Sequence, residues 1–83
     1  MTTTAITIGR TTSTHLEVRE IKSDSISLNV MKGEILQGIA YLSAKSDGYI
    51  IHRVEKYTQD VSFSVRSAVV KLLTPKRFRK LMA

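Results

Sequence analysis

Residues 61–83, VSFSVRSAVVKLLTPKRFRKLMA, hold the strongest structural and electrostatic signals in the 83-residue chain. The first sixty residues contain seven basic and seven acidic side chains, whereas this stretch contains six basic side chains and no acid. The formal net charge of +6 therefore comes entirely from the last quarter of the chain. Its basic residues are Arg66, Lys71, Lys76, Arg77, Arg79 and Lys80.

Thr74 and Pro75 divide this stretch in two. Threonine is a good N-cap, and proline suits the first position of a helix while disfavouring helix in the residue before it. The pair predicts that one helix ends by Leu73 and that a second, basic helix spans residues 74–83. Few apolar residues anchor this last helix, so we expect it to be mobile until a partner orders it. Those apolar residues are Phe78, Leu81 and Met82.

Residues 61–73 carry two overlapping patterns. Val61, Phe63 and Val65 alternate with polar residues, as in a strand, but apolar residues also recur at helical spacing as far as Leu72. The longer helical pattern favours a helix over about 61–73 with Asp60 as its N-cap. A strand to residue 66 followed by a helix remains open.

The middle of the chain also allows two interpretations. Ile35, Leu36, Ile39, Ala40 and Leu42 would gather on one face of a helix, which predicts a central helix over 34–46. The alternative is a hairpin, IAYLSAKSDGYIIHRV, that turns at residues 45–48. β-branched and aromatic residues predict a strand over 49–57 in either case. Strict alternation would put residues 49, 51, 53, 55 and 57 of that strand on one face.

The N-terminal half favours strands. We predict a strand over 4–9 and a hairpin over 15–29, with turn-forming Ser and Asp side chains at 22–25. The apolar spacing slips between Val18 and Ile21, which indicates a β-bulge. Ile26, Leu28 and Val30 then alternate with polar residues, as in a half-buried strand.

These patterns together predict an α+β fold in a single domain, residues 1–83. A small antiparallel sheet, made of a three-stranded N-terminal meander plus a later strand, is packed by the central helix and followed by one or two C-terminal helices. The expected core comprises Ile26, Leu28, Val30, Ile35, Ile39, Leu42, Ile51, Val65, Val69 and Leu72.

Enzyme chemistry has little support in the sequence. The chain lacks cysteine, and its four glycines are scattered singly, so thiol chemistry and glycine-rich phosphate loops are not indicated. His15 and His52, the two histidines, lack an evident orienting partner. We therefore predict a non-enzymatic protein without catalytic residues, metal or cofactor. Tyr41, Tyr49 and Tyr57 could stack on bases, but their wide separation favours core-edge positions.

The basic stretch is the remaining functional signal. Clustered Lys and Arg are typical of nucleic-acid binding, since neutralised phosphates release counterions. We predict a DNA- or RNA-binding or regulatory protein that contacts phosphates through Arg66, Lys71, Lys76, Arg77, Arg79 and Lys80. The alternative is an inhibitor or adaptor that docks an acidic protein through the same helix.

Cellular location and assembly are bounded only loosely by the sequence. No apolar run reaches the roughly 20 residues of a membrane span, and the N-terminus lacks the pattern of a secretory signal. A cytoplasmic location is therefore expected. A homo-oligomer is possible, since a chain this short has a small core and an assembly would align several basic helices.

Overall fold

The fold is an antiparallel meander followed by two helices, as given by a computed structural model that describes residues 7–10 and 13–83. The elements are β1 (Thr7–Arg10), β2 (Thr14–Ile21), β3 (Ser25–Lys32), β4 (Ile35–Lys45), β5 (Gly48–Lys56), α1 (Val65–Leu72) and α2 (Pro75–Met82). The strands form one sheet in the order β1-β2-β3-β4-β5. The predicted α+β class and both C-terminal helices are confirmed. Residues 4–6 of the predicted first strand lie outside the described residues.

The predicted helix over 34–46 is wrong, because this segment is strand β4. β4 pairs with β3 on one side and β5 on the other, and the alternative hairpin, with its turn at residues 46–47, is correct. Ala40 and Leu42 are buried in the core, and Ile39 is buried on the opposite face. A central strand with apolar residues on both faces imitates the apolar face of a helix, which explains the error.

Each pair of neighbouring strands contains one irregularity in its register. The partners Val18–Leu28 and Glu20–Ser27 leave Arg19 as an extra residue in β2, which confirms the bulge predicted between residues 18 and 21. Gly9, Gln37 and His52 are the corresponding extra residues in β1, β4 and β5. Bulges strengthen the local twist of a sheet. The sheet thereby brings both of its edge strands, β1 and β5, into contact with α1.

The bulge at His52 corrects the predicted faces of β5. Tyr49 and Ile51 pack against the core beneath the helices, whereas Arg53 and Glu55 pair with residues of β4 that point to the other face. Strict alternation would have kept all four on one side. The mixture of polar and apolar residues on each predicted face is therefore the signature of a bulge.

The core lies between one face of the sheet and the helices. It is a cluster of Ile8, Leu16, Val18, Ile26, Leu28, Val30, Ala40, Leu42, Val65, Val69, Leu72, Leu73 and Phe78. Most of the predicted core is confirmed. Ile51 is only half-buried, and Ile35 is wrong because it begins β4 and remains 68% exposed.

Helix α1 begins later than predicted. Its N-cap is Ser64, whose hydroxyl accepts a hydrogen bond of 3.1 Å from the backbone N–H of Ser67. The carboxylate of Asp60, the predicted N-cap, instead accepts from the backbone N–H and the hydroxyl of Ser62. Val61 is consequently 96% exposed rather than part of the helix.

The break between the helices is confirmed. α1 ends at Leu72, and Leu73, its C-cap, donates its N–H to the carbonyl of Val69 at 2.7 Å. Thr74 then caps α2, its hydroxyl accepting from the N–H of Arg77 at 3.2 Å, and Pro75 is the first helical residue.

Two glycines allow α1 to lie close to the sheet. A β-carbon at Gly38 would lie only 2.5 Å from the carbonyl oxygen of Glu55 and from a methyl carbon of Val65. A β-carbon at Gly9 would lie 2.5 Å from the carbonyl oxygen of Leu72. The helix therefore meets β4 at its N-terminal end and β1 at its C-terminal end, at distances that only glycine permits.

Candidate nucleic-acid interface

The helical layer is positively charged throughout. Arg66 and Lys71 on α1 and the four cations of α2 are all exposed to solvent. Within residues 7–10 and 13–83, none of these six side chains forms an ion pair with an acid. The structure thus places all the predicted site residues in one layer, as unneutralised charge.

The two cations of α1 lie on different sides of the helix. The Arg66 guanidinium donates a hydrogen bond of 3.2 Å to the carbonyl oxygen of Ile51, at the outer edge of β5. Lys71 instead borders a cleft that also contains Ser13, just before β2. Arg66 therefore lies apart from Lys71 and braces the sheet edge as well as carrying charge.

The cations of α2 surround its buried side. Phe78 is only 1% exposed, and Leu81 and Met82 are half-buried against the core. The Arg77 guanidinium turns back to donate to the carbonyl of Leu72 at 2.9 Å, which ties the end of α1 to the start of α2. Its neighbours Lys76, Arg79 and Lys80 form no side-chain hydrogen bond or ion pair in the described part of the chain.

The charges at the start of α2 oppose helix stability, whereas Arg79 and Lys80 in its last turn suit the negative end of the helix dipole. Lys76 and Arg77 occupy its first turn, which contains no acid. Cations there face the positive end of the helix dipole, where carboxylates are favourable. Lys76 and Lys80 are also four residues apart, a spacing at which like charges repel across one helical turn. An arrangement that costs the free protein stability is expected where an anionic partner neutralises it.

Four of the acids are paired locally within the sheet and its turns. The described ion pairs are His15–Glu17 at 2.9 Å, Lys22–Glu20 at 3.8 Å, Lys45–Asp47 at 3.6 Å and Arg53–Glu55 at 2.5 Å. All of them lie within or at the ends of strands. In the described chain these pairs leave the six cations of the helices without an acidic partner.

The partner of His15 was missed from the sequence. Its Nε2 lies 2.9 Å from a carboxylate oxygen of Glu17 on the face of the sheet that the helices leave uncovered. The sequence signal for this contact is that His15 and Glu17 are two residues apart in a strand, which puts both side chains on one face. Neither residue lines any of the pockets described for the chain, and their contact is a hydrogen bond on the open face of the sheet.

A second network on this uncovered face joins Tyr41, Arg53, Glu55 and Tyr57. The Tyr57 phenol donates to Glu55 at 2.5 Å, and the Arg53 guanidinium lies 5.1 Å from the centre of the Tyr41 ring. The hydrogen bond from Tyr57, aided by the charge of Arg53, lowers the pKa of Glu55. The same hydrogen bond raises the pKa of Tyr57. The phenol of Tyr57 and the ring of Tyr41 are thus engaged with charged neighbours, while Tyr57 as a whole remains 53% exposed.

The described residues contain no candidate metal cluster and no candidate membrane-spanning helix. No group of three or more His, Asp or Glu side chains in 7–10 and 13–83 is placed to hold a metal ion. Neither described helix has the length or apolar character needed to cross a membrane.

Comparison with protein-family models, with curated proteins and with solved structures finds no match to this chain. Its function is therefore inferred from its own charges and contacts.

Proposed function

We propose that this protein binds nucleic acid non-enzymatically, through contacts between its helical layer and phosphate groups. The observation that carries the proposal is the exposed, unpaired charge of α2, concentrated at Lys76, Arg79 and Lys80. Phosphate neutralisation would release condensed counterions and so supply the binding free energy. It would also remove the repulsion between cations that the free helix bears.

An acidic protein partner is the weaker alternative. Docking of an acidic protein on α2 would rely on an apolar grip by Phe78, Leu81 and Met82 beside the cations. Phe78 is in the core, and the other two are half-buried against it. Protein interfaces draw most of their affinity from buried anchors, and α2 offers a partner mainly charge. A polyanion, which needs no apolar anchor, fits the surface better.

The cellular setting belongs to the same proposal. We expect a cytoplasmic protein that meets DNA or RNA there. Self-association would align several basic layers along one polyanion and raise the affinity through effective concentration. Sedimentation of the protein with and without an oligonucleotide measures this self-association directly.

The test is a salt titration of binding to labelled DNA and RNA. A variant with Lys76, Arg79 and Lys80 changed to Ala loses three charges while keeping Arg77, which has a structural hydrogen bond. We expect the slope of log affinity against log salt to become shallower by about 1 for each lost phosphate contact.

The matched control changes Lys22, Lys32 and Lys45 to Ala, which removes equal charge from exposed positions at strand ends. We expect this variant to keep most of the wild-type slope. Equal effects of the two variants, or no binding at about 50 mM salt, would overturn the proposal. Recovery of an acidic protein without nucleic acid from a pull-down would establish the alternative.

A further inference from the structure

A cleft of about 260 Å³ lies beside α1, between this helix and the start of β2. Its apolar surface comes from Phe63, Ala68 and Leu72, and a single cation, Lys71, borders it. The remaining lining residues all carry hydroxyl groups: Ser13, Thr14, Ser62, Ser64 and Ser67. An aromatic ring, a cation and several hydroxyls therefore meet in one depression, which we name the Phe63 cleft.

The chemistry of the Phe63 cleft suits a nucleotide. Phe63 is half-buried, with part of its ring packed against the core and part facing the cleft. Aromatic rings in such positions stack on bases whatever their sequence. Lys71 has no ion pair with any described acid, so its ammonium group can meet a phosphate. Serine hydroxyls such as those of Ser13 and Ser67 can donate to sugar and phosphate oxygens, whereas that of Ser62 already donates to Asp60.

A second basic groove lies between α2 and β1. Arg77 and Lys80 line it together with Thr7, Ile8, Gly9 and Leu81, over about 370 Å³. Leu72 lies between the two depressions, because it lines the Phe63 cleft while its carbonyl oxygen accepts a hydrogen bond from the guanidinium of Arg77, which lines the groove. The depressions share no lining residue, and the close contact of Leu72 with Gly9 lies between them.

We propose that these two depressions bind one single strand of nucleic acid, with a base on Phe63 and phosphates at Lys71 and Lys80. The inference rests on the proposed function and specifies the form of its ligand. A cleft of 260 Å³ is below the size of pockets that enclose whole drug-sized ligands, roughly 300–1,000 Å³. It therefore has room for a single base rather than for a whole drug-sized ligand. Bases within a duplex are stacked on each other and cannot enter it, whereas an unpaired base can.

The chain contains no tryptophan, which provides a direct reporter. Phe63→Trp keeps an aromatic ring in the cleft and adds the sole indole. We expect oligo(dT) to quench its fluorescence on binding, since a stacked base contacts the ring, and a hairpin duplex to leave the fluorescence nearly unchanged. Anisotropy of the same labelled oligonucleotides gives the affinities.

Phe63→Leu keeps an apolar side chain but removes the stacking surface. We expect its affinity for oligo(dT) to fall roughly 5- to 100-fold, with duplex affinity unchanged. Lys71→Gln, which leaves the floor of the cleft intact, should also weaken oligo(dT) binding. Circular dichroism of each variant verifies the fold, and the fluorescence of Phe63→Trp keeps the test decisive if Phe63→Leu unfolds.

The possible outcomes separate this inference from the proposed function. Equal binding of oligo(dT) and duplex, with no effect of Phe63→Leu or Lys71→Gln, would overturn the inference and leave phosphate binding by α2 intact. Absence of binding to either nucleic acid at low salt would overturn both. Selective loss of oligo(dT) binding in the cleft variants would establish the single-stranded ligand.

Discussion

The phenol of Tyr49 donates a hydrogen bond of 2.6 Å to the main-chain carbonyl of Leu73. Tyr49 belongs to edge strand β5, and Leu73 is the C-cap of α1, so one side chain fixes the junction of the helices to the sheet. The Tyr49 ring also lies 5.1 Å from that of Phe78, the buried anchor of α2. The position of the basic helix thus depends on an aromatic residue far away in sequence.

Tyr49→Phe should therefore loosen α2 while preserving the contact with Phe78. The carbonyl of Leu73, a fully buried residue, loses its phenol donor, and we expect a loss of about 1–2 kcal/mol of unfolding free energy. Urea denaturation measures it, and amide hydrogen exchange should show faster opening of α2 in particular. Hydrogen exchange of the wild type also measures the mobility expected of residues 74–83.

The matched control is Tyr57→Phe, which removes a phenol that is bonded to Glu55 at the surface. Exposed hydrogen bonds contribute less than those with a buried partner, so we expect a smaller loss and unchanged exchange in α2. Equal effects of the two substitutions would show that the bond from Tyr49 does not hold the helix in place.

The fold was predictable where short-range chemistry decides it. Thr74 and Pro75 fix a helix start through capping and a locked φ angle, and the bulge at Arg19 is visible as a slip in apolar spacing. β4 was not predictable in this way. The burial of β4 on both faces depends on β3, β5 and the helices together. Gly38 allows α1 to approach β4 closely, and it does not lie inside a helix as the sequence predicted.

The candidate site was predictable as a set of charges but not as a surface. The sequence shows that residues 61–83 lack acids, yet it does not show that Arg66 faces β5 while Lys71 faces β2. The Phe63 cleft is formed by segments about fifty residues apart, so no local pattern indicates it. In the sequence, Phe63 is one apolar residue of a segment whose pattern fits either a strand or a helix.

Gly38→Ala should destabilise the protein by crowding the contact between α1 and β4. The added methyl group would lie 2.5 Å from both the Glu55 carbonyl oxygen and a methyl carbon of Val65. Relief of such overlap requires the helix or β5 to shift, at a cost of about 1–3 kcal/mol in unfolding free energy. Ser43→Ala, farther along the same strand, is the control and should stay within about 0.5 kcal/mol. Equal denaturation midpoints for the two variants would contradict the close approach.

The bond between Tyr57 and Glu55 should make stability depend on pH at both extremes. The pKa of Glu55 is below its ordinary 4.5 in the folded protein, so its stabilisation exists above that pH and is lost as pH falls through the lowered value. The pKa of Tyr57 is above its ordinary 10.0, so that stabilisation exists below pH 10.0 and is lost as pH rises through the raised value.

Glu55→Gln removes both effects. We expect wild type to exceed this variant in unfolding free energy most clearly near neutral pH, with the difference shrinking toward each extreme. Urea titrations from about pH 3 to pH 11 measure the difference, and the NMR titration of the Tyr57 ring should show its pKa moving toward the ordinary value. Glu34→Gln, in the exposed turn before β4, is the control. A constant difference across pH would rule out the coupling.

Lys76→Glu should stabilise the free protein while weakening its binding to nucleic acid. The substitution puts a carboxylate in the first turn of α2, where no acid is present, and converts the repulsion with Lys80 into an i,i+4 attraction. We expect a gain of about 0.5–1 kcal/mol in unfolding free energy. The same change reverses one proposed phosphate contact, so affinity at low salt should fall.

Lys71→Glu is the matched control, since it makes the same charge change in the last turn of α1. A carboxylate there faces the negative end of the helix dipole, so stability should fall rather than rise. Both variants should lose affinity, because both positions belong to the proposed interface. We expect Lys76→Glu to raise stability and Lys71→Glu to lower it, while both weaken binding. That result would show that the lysine at position 76 contributes to ligand binding and not to folding. A loss of stability in Lys76→Glu, or unchanged affinity, would mean that the basic first turn of α2 is not maintained for an anionic partner.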